Sequence, residues 1–358
     1  MSNLLSSRRV GVAIALALTA ATGLAVAAEL RAQHAKVSWM GAEGAMETRL
    51  VPTHDIPLHT LQIASWRGSG VVRMLRAPWQ LLAAVIAAMQ ILRTLRPNAV
   101  ISFGGFAAGP GGLAAWLLRT PLLVHEQNRA PGLTNRVLAR LARRVLCGFP
   151  QSFGVREEYV GNPVRAEIFN LPAPAERSPQ RAVVSILVMG GSQGAASLNK
   201  RLPAALGQLA TAVHICHQSG TRHVDVTRAA YAAVGLTADV VGFLEDMPAT
   251  YAQADIVICR AGASTLAELC AAGVCSVLVP LPTAADDHQT RNADFLCEQG
   301  AAVLVPEGDN FEQRIGEAVA LLVADRQRRL EMADAAKRLA RPLAARHVAE
   351  ACLSEVSI

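Results

Sequence analysis

From about residue 36 the chain alternates short apolar runs with helical stretches, and after a proline-rich break the same rhythm restarts. In the first half KVSWMG, AVISFGG, PLLVHEQ and VLCGF read as buried parallel strands, each followed by a glycine-rich or polar turn. Between them VVRMLRAPWQLLAAVIAAMQILRTLR and LTNRVLARLARRV read as helices, the second with arginine on its outer face. Pro163, Pro172, Pro174 and Pro179 interrupt the pattern and mark a linker at about 163–181. Beyond it SILVMG, AVHICHQ, DVVGF, DIVICR, CSVLVPL and AAVLVP are strand candidates with helices between them. Two successive units of this kind, without sequence repeat, predict an α/β chain. It would hold two Rossmann-like doubly wound parallel-sheet domains facing across a cleft, with ligands beyond the carboxyl ends of the strands. The expected division is 1–163, 164–340 and a closing segment 341–358.

Composition agrees with that architecture. Of 358 residues 52% are hydrophobic and only 4% aromatic, a balance that suits helices on buried parallel sheets better than a sandwich. Residues 1–163 carry 17 Lys and Arg against 7 Asp and Glu, and the remainder 17 against 21. The basic first half suits contact with a polyanion, either nucleic acid or an anionic membrane surface, although solvated helix faces give the same count. Seven scattered cysteines without a CxxC pair read as reduced, mostly buried thiols, and no metal site follows from them. The stretch VGVAIALALTAATGLAVAA after Arg8 and Arg9 has the length of a membrane segment or signal, but a buried strand running into a buried helix gives the same pattern. The cysteine usage and the rest of the chain favour strand and helix.

Five loops at the expected sheet edges carry candidate chemistry. LVMGGSQGAASLN runs from a strand through Gly190, Gly191, Ser192, Gln193 and Gly194 into a helix, where free N–H groups attract phosphate. A tight strand-to-helix turn is the alternative, and the spacing is not that of a Walker loop. Arg260 to Thr265 repeats the arrangement, with Glu268 one turn into the following helix, where a carboxylate can accept two hydrogen bonds from a ribose diol or merely favour the helix start. In DDHQTRNA, His288, Gln289 and Asn292 share one helix face and suit sugar hydroxyls better than a metal. FGGFAAGPGGLAAW, with Gly104 and Gly105, is a further anion-loop candidate. HEQN places His125, Glu126 and Asn128 after a buried strand. No GxGxxG followed by a spaced acid is present, which argues against a Rossmann oxidoreductase.

Jointly, GGSQGA, HQSG, CRAGASTLAE, HQTRNA, HEQNRAPGLTN, VGNPVR and FGGFAAGPGGLAAW resemble the MurG family of peptidoglycan N-acetylglucosaminyltransferases, over about residues 23–345. The resemblance implies a GT-B fold and an inverting transfer from UDP-N-acetylglucosamine to the C4 hydroxyl of undecaprenyl-pyrophosphoryl-N-acetylmuramoyl-pentapeptide, with no cofactor strictly required. It implies work at the cytoplasmic face of the bacterial inner membrane as a peripheral protein. The partners would be the donor, the lipid-linked acceptor, an anionic membrane surface and cell-wall synthesis and division proteins, but no nucleic acid. It further implies a last helix that crosses back to the first domain.

Carried over by position, the resemblance puts Ser192 and Gln193 at the phosphates and sugar, and Phe243 and Leu244 at the uracil. Thr265 would touch a phosphate and Glu268 the ribose, while His288, Gln289 and Asn292 would hold the N-acetylglucosamine hydroxyls. Asn128 and Arg165 would contact the donor from the cleft, and Gly104, Gly105, His125 and Glu126 belong to the acceptor side. His288 stands where many members have glutamine.

One stretch departs from the family. Its members open with a glycine-rich loop ending in histidine before a GLAVA helix. Here GLAVA occupies 23–27, but the aligned loop reads Ile14, Ala15, Leu16, Ala17, Leu18, Thr19. Without glycine, side chains crowd the path of an acceptor pyrophosphate, and Thr19 is no base near neutral pH. The catalytic base is therefore unassigned, and a UDP-sugar-binding protein with impaired catalysis is the alternative reading. Independently, Met74, Leu75, Trp79, Leu82 and Ile86 lie beside Arg73, Arg76 and Arg93, an apolar face rimmed by arginine that suits anionic lipid. Core packing of the same residues is the competing explanation.

Overall fold

The computed structural model describes residues 11–15, 20–45, 47–62, 71–105, 107–154, 156–177, 183–190 and 195–355; at 11–15, 20–21, 71–77 and 285 it describes the backbone alone. The chain divides into two compact units, Met1–Val164 with Leu343–Ile358, and Arg165–Pro342.

The first unit holds β1 (Gly11–Ala15), β2 (Lys36–Ala42), β3 (Leu58–Leu61), β4 (Ala99–Ser102), β5 (Leu122–Glu126), β6 (Arg144–Cys147) and β7 (Glu158–Tyr159). They form one parallel sheet in the order β3-β2-β1-β4-β5-β6-β7. Its helices are α1 (Ala20–Ala32), α2 (Glu47–Leu50), α3 (Val71–Leu95), α4 (Ala108–Leu117) and α5 (Leu133–Ala139). The strand β1 pairs with both β2 and β4, so Gly11–Ala15 lie mid-sheet, and α1 begins at Ala20.

Successive strand residues point to opposite faces, and the unit accordingly has two cores. Val37, Trp39, Ile101, Leu123 and Leu146 face one of them, with Val26, Ala27 and Leu30 of α1. Met40, Val100, Val124 and Val145 face the other, with Val85, Ala88 and Leu92 of α3 and Leu138 of α5.

In the second unit β8 (Val184–Met189), β9 (Val213–Gln218), β10 (Asp239–Val241), β11 (Ile256–Cys259), β12 (Cys275–Leu278) and β13 (Ala302–Leu304) form a parallel sheet. The order is β10-β9-β8-β11-β12-β13, so both sheets reverse direction beside their first strand, the arrangement of a doubly wound fold. The helices here are α6 (Ala166–Phe169), α7 (Pro174–Arg177), α8 (Ala196–Leu206), α9 (Val224–Ala233), α10 (Met247–Gln253), α11 (Ala263–Ala272), α12 (His288–Glu298), α13 (Phe311–Ala324) and α14 (Arg326–Leu339). Asp246 and Asp325 cap α10 and α14 by accepting from Ala249 N and Arg328 N, each at 2.9 Å.

The last helix, α15 (Ala344–Ser354), belongs to the first unit, where Val348, Ala349, Ala351 and Cys352 pack in the same core as Val26, Ala27 and Leu30. Arg143 reaches Glu355 at 3.1 Å, and Arg144 donates to Ser354 Oγ at 3.0 Å. One sequence expectation is corrected here. The helix read over LTNRVLARLARRV stops at Ala139, and Arg144–Val145 belong to β6. The cause is local: Arg143 N donates to Leu122 O at 2.7 Å, which draws the chain into the sheet.

Candidate active site

In the first unit the ends of β4 and β5 are tied together by buried polar side chains. Gly104 and Gly105 both take left-handed backbone, with φ of 86° and 90°. A Cβ on Gly104 would stand 3.1 Å from Asn135 Nδ2. Ser102 Oγ accepts from Gly104 N at 3.2 Å and donates to Asn135 Oδ1 at 3.3 Å. Asn135 in turn donates to Glu126 Oε2 at 2.9 Å, and Gly132 N adds a second bond to that oxygen at 3.2 Å. The other oxygen, Oε1, accepts from Asn128 N at 2.9 Å and Asn128 Nδ2 at 3.0 Å. Glu126, 2% exposed, is thus the hub that shapes the 126–135 loop.

His125 is also buried. Its Nε2 donates to Gly161 O at 3.0 Å, which leaves Nδ1 to accept from Gln127 Nε2 at 3.1 Å. Burial lowers its pKa from 6.5 to about 4, with the Gly161 bond opposing. The ring is therefore neutral near pH 7 with both nitrogens engaged, and it holds the loop rather than titrating as a base. Asn128 is half-buried beside it.

In the second unit the loop after β8 opens with Gly190, whose N–H donates to Gln218 O at 3.2 Å. Ser192 and Gln193 lie outside the described residues. A set of buried bonds joins α8, β9 and α9. Asn199 Nδ2 donates to Ser219 O at 2.9 Å, so its Oδ1 faces His217 and accepts from Nε2 at 3.0 Å. His217 Nδ1 then accepts from the Tyr231 hydroxyl at 2.9 Å. Burial again lowers this histidine to about 4. On the neighbouring edge Phe243 is 63% exposed and Leu244 half-buried.

The loop between β11 and α11 has the features of an anion site. Gly262 occupies the N-cap in extended backbone, and the first intrahelical bond runs from Leu266 N to Gly262 O at 3.0 Å. The N–H groups of Ala263, Ser264 and Thr265 are therefore left without acceptors inside the helix. Ser264 Oγ is buried and has no partner, and Thr265 is half-buried on the same turn. Arg260 braces the loop from below. It donates to Val279 O at 3.2 Å and Pro280 O at 3.1 Å, and stands 2.6 Å from Glu307, both side chains 13% exposed. This one guanidinium ties the ends of β11, β12 and β13.

Glu268, one turn further along α11, has both oxygens placed. Oε1 accepts from Arg165 Nη2 at 3.1 Å and Oε2 from the Tyr251 hydroxyl at 3.1 Å. At the start of α12, His288 and Gln289 are half-buried, and Gln289 Oε1 accepts from Leu281 N at 2.9 Å. Asn292 is fully buried and donates to Ala261 O at 3.2 Å, which links α12 to the β11 loop. Among the described residues no cluster of His, Cys, Asp or Glu could hold a metal ion.

The helix α3 exposes an apolar face. Trp79 is 72% and Leu82 50% exposed, with Leu81 and Ile86 beside them, while Val85, Ala88 and Leu92 enter the core. Residues 78–95 are long and apolar enough to cross a membrane, but the helix packs on α4 by its inner face. The side chains of Met74 and Leu75 fall outside the described part, as does Thr19 altogether.

Residues 21–147 match the glycosyltransferase family 28 N-terminal domain and residues 185–348 its C-terminal domain. A UDP-N-acetylglucosamine–N-acetylmuramyl-(pentapeptide) pyrophosphoryl-undecaprenol N-acetylglucosamine transferase of Xanthomonas axonopodis pv. citri (strain 306) is 60% identical over 335 residues, 93% of this chain and 78% of that protein. The enzyme of the same name from Xylella fastidiosa (strain M12) is 54% identical, over 93% of this chain and 92% of that protein. The crystal structure of Acinetobacter baumannii MurG superposes with a TM-score of 0.85 at 41% identity, over 96% of this chain and 99% of that one.

The chain belongs to the MurG family. It has the GT-B fold of glycosyltransferase family 28, and among the described residues the motifs FGG, HEQN, HQSG and CRAG lie at the carboxyl ends of β4, β5, β9 and β11. Sequence reasoning did not find Tyr251 or Glu307, and it did not find the buried bonds that Arg260, Asn135 and Asn199 make. Asn199, Asn135 and Arg260 reach His217, Ser102 and Glu307, which lie 18, 33 and 47 residues away, and Tyr251 reaches Glu268, 17 residues away on a different helix. No local motif signals such pairs.

Proposed function

We propose that the chain transfers N-acetylglucosamine from UDP-N-acetylglucosamine to the C4 hydroxyl of undecaprenyl-pyrophosphoryl-N-acetylmuramoyl-pentapeptide, with inversion at the anomeric carbon. The observation that carries this reading is the 60% identity to a named enzyme of that activity across 93% of the chain. The second unit supplies a fitting donor site. Open N–H groups at the start of α11 suit the diphosphate, Glu268 the ribose diol, and the α12 start with His288, Gln289 and Asn292 the sugar. Phe243 and Leu244 border the base in this reading, and Gly104 and Gly105 in the first unit belong to the acceptor side.

In the reaction the C4 oxygen bonds to the anomeric carbon, the bond from that carbon to the diphosphate oxygen breaks, and UDP leaves with its electron pair. The helix start and Arg165 stabilise the charge that develops on the diphosphate, so no metal is needed by this reading. The C4 proton must pass to a base, and neither Thr19 nor the buried, neutral His125 suits that task. Work at the cytoplasmic face of the inner membrane is part of the same proposal, supported by exposed Trp79, Leu81, Leu82 and Ile86 on the more basic half of the chain.

The test incubates purified protein with UDP-N-acetylglucosamine and a short-chain analogue of the lipid-linked acceptor, and scores UDP release and disaccharide. Calorimetric donor binding runs alongside, with Glu268→Ala as control. Acceptor-dependent turnover is expected. Donor binding that Glu268→Ala weakens, without turnover, would replace the enzyme with a UDP-sugar-binding protein.

A further inference from the structure

We propose that Tyr251 is a positioning residue for donor recognition, which presents the Glu268 carboxylate to the ribose and so makes the site discriminate ribose from 2′-deoxyribose. The proposal rests on Glu268 being the ribose acceptor.

Glu268 reaches the loop edge on a side chain with three rotatable bonds, and α11 alone does not fix where its oxygens point. Tyr251 does. Its side chain is fully buried in the second unit, in the last turn of α10, and the hydroxyl donates to Glu268 Oε2 at 3.1 Å. Burial first, and then the negative Glu268 itself, push the phenol well above its usual range, so the hydroxyl stays protonated and can only act as a donor to the carboxylate. The backbone beneath is held as well. Arg177 donates to Tyr251 O at 3.4 Å and to Ala272 O at 2.6 Å, which ties α10 to the end of the helix that carries Glu268.

The two carboxylate oxygens therefore have different neighbours. Oε2 faces a rigid, buried donor. Oε1 faces Arg165, whose side chain is 44% exposed, at 3.1 Å. A ribose diol arriving from solvent can displace an exposed guanidinium far more readily than a buried phenol, so Oε1 is the oxygen offered to it. Arg165, once displaced, is released beside a site that holds a diphosphate. Glu268 is only 17% exposed, so a hydrogen bond lost there is not readily replaced by water. Without the phenol the carboxylate loses its fixed orientation, and the 2′-hydroxyl loses its defined partner.

The experiment measures calorimetric affinity for UDP and for 2′-deoxy-UDP with the full chain as wild type, Tyr251→Phe and Glu268→Gln. The wild type is expected to prefer UDP about tenfold or more. Tyr251→Phe, which removes one oxygen and keeps the ring, should bring that preference close to one. It should also raise the KM for the donor about tenfold, while kcat and the KM for the acceptor change less than twofold. A thermal melt checks that the variant is folded. If the wild type prefers UDP and Glu268→Gln abolishes the preference while folded Tyr251→Phe retains it, the positioning role is refuted and the ribose reading of Glu268 stands. If the wild type shows no preference and Glu268→Gln binds UDP normally, the ribose reading fails and the role of Tyr251 fails with it.

Discussion

Lowering the pH from about 7 to about 4 should weaken each unit through one buried histidine, by an amount the hydrogen bonds allow to be worked out. His125 and His217 each have a ring nitrogen that donates and one that accepts, the pattern of a neutral imidazole, and burial lowers each from 6.5 to about 4. Above about pH 6.5 the histidine is neutral in folded and unfolded chain alike, and stability does not depend on it. Between about 6.5 and 4 the unfolded chain binds the proton and the folded one does not, so stability falls as pH falls. The full span corresponds to about 3 kcal/mol for each histidine.

The two contributions can be read separately, because all four tryptophans, Trp39, Trp66, Trp79 and Trp116, lie in the first unit. Urea unfolding followed by tryptophan fluorescence reports the unit of His125, and far-UV circular dichroism reports both. His217→Gln, which cannot take up the proton, should leave the fluorescence transition unchanged. It should make the remaining dichroism transition less steeply pH-dependent, by about 3 kcal/mol over the window. A variant whose stability falls in parallel with the wild type between those pH values would refute the assignment of a buried neutral ring.

Three further outcomes are expected. Gly148→Ala would set a Cβ 2.1 Å from Asn162 Oδ1, displacing the side chain that donates to Gln127 O, and should lower stability by about 1–3 kcal/mol; Gly132→Ala, where nothing lies within 4 Å and φ is −66°, should be close to neutral. Glu307→Ala leaves Arg260 largely buried with only carbonyl partners and should destabilise by about 3 kcal/mol; an unchanged urea midpoint would show that the pair braces nothing. Trp79→Ser with Leu82→Ser should weaken binding to vesicles rich in anionic lipid about tenfold or more, at an unchanged melting temperature, and equal vesicle binding would argue against the α3 face as the contact.

Both sheets were legible in the sequence wherever a strand is covered on both faces. Runs such as ILVM, IVIC and the LLV that opens β5 are apolar throughout because the sheet buries every residue, and they match β8, β11 and β5. The edge strands β3 and β7, reading LHTL and EY, were not legible, since they are short and half polar. The helix α5 was read too long because its arginines continue the helical pattern into a segment that the sheet claims through backbone pairing. The glycine-rich loops were visible for a physical reason, since only glycine tolerates the turns at Gly104 and Gly105. Burial was not visible. His125, Glu126 and Asn292 look in sequence like side chains that emerge at a sheet edge, yet each lies inside and bonds to loop backbone or side chains. A polar residue after a strand can hold a loop or meet a ligand, and sequence spacing does not separate the two.

The return of α15 to the first unit has a consequence for the order in which the protein can be made. Residues 165–342 leave the ribosome as one uninterrupted block, so the second unit has its whole core in hand before synthesis ends. The first unit does not, although most of it is translated earlier. Val348, Ala349, Ala351 and Cys352 belong to the core around α1, and they emerge only after the second unit. The nascent first unit must therefore hold an open apolar groove along α1 while some 180 further residues are synthesised, roughly 10–40 seconds at bacterial elongation rates. During that interval a holdase chaperone, or a membrane surface, would find its binding site there.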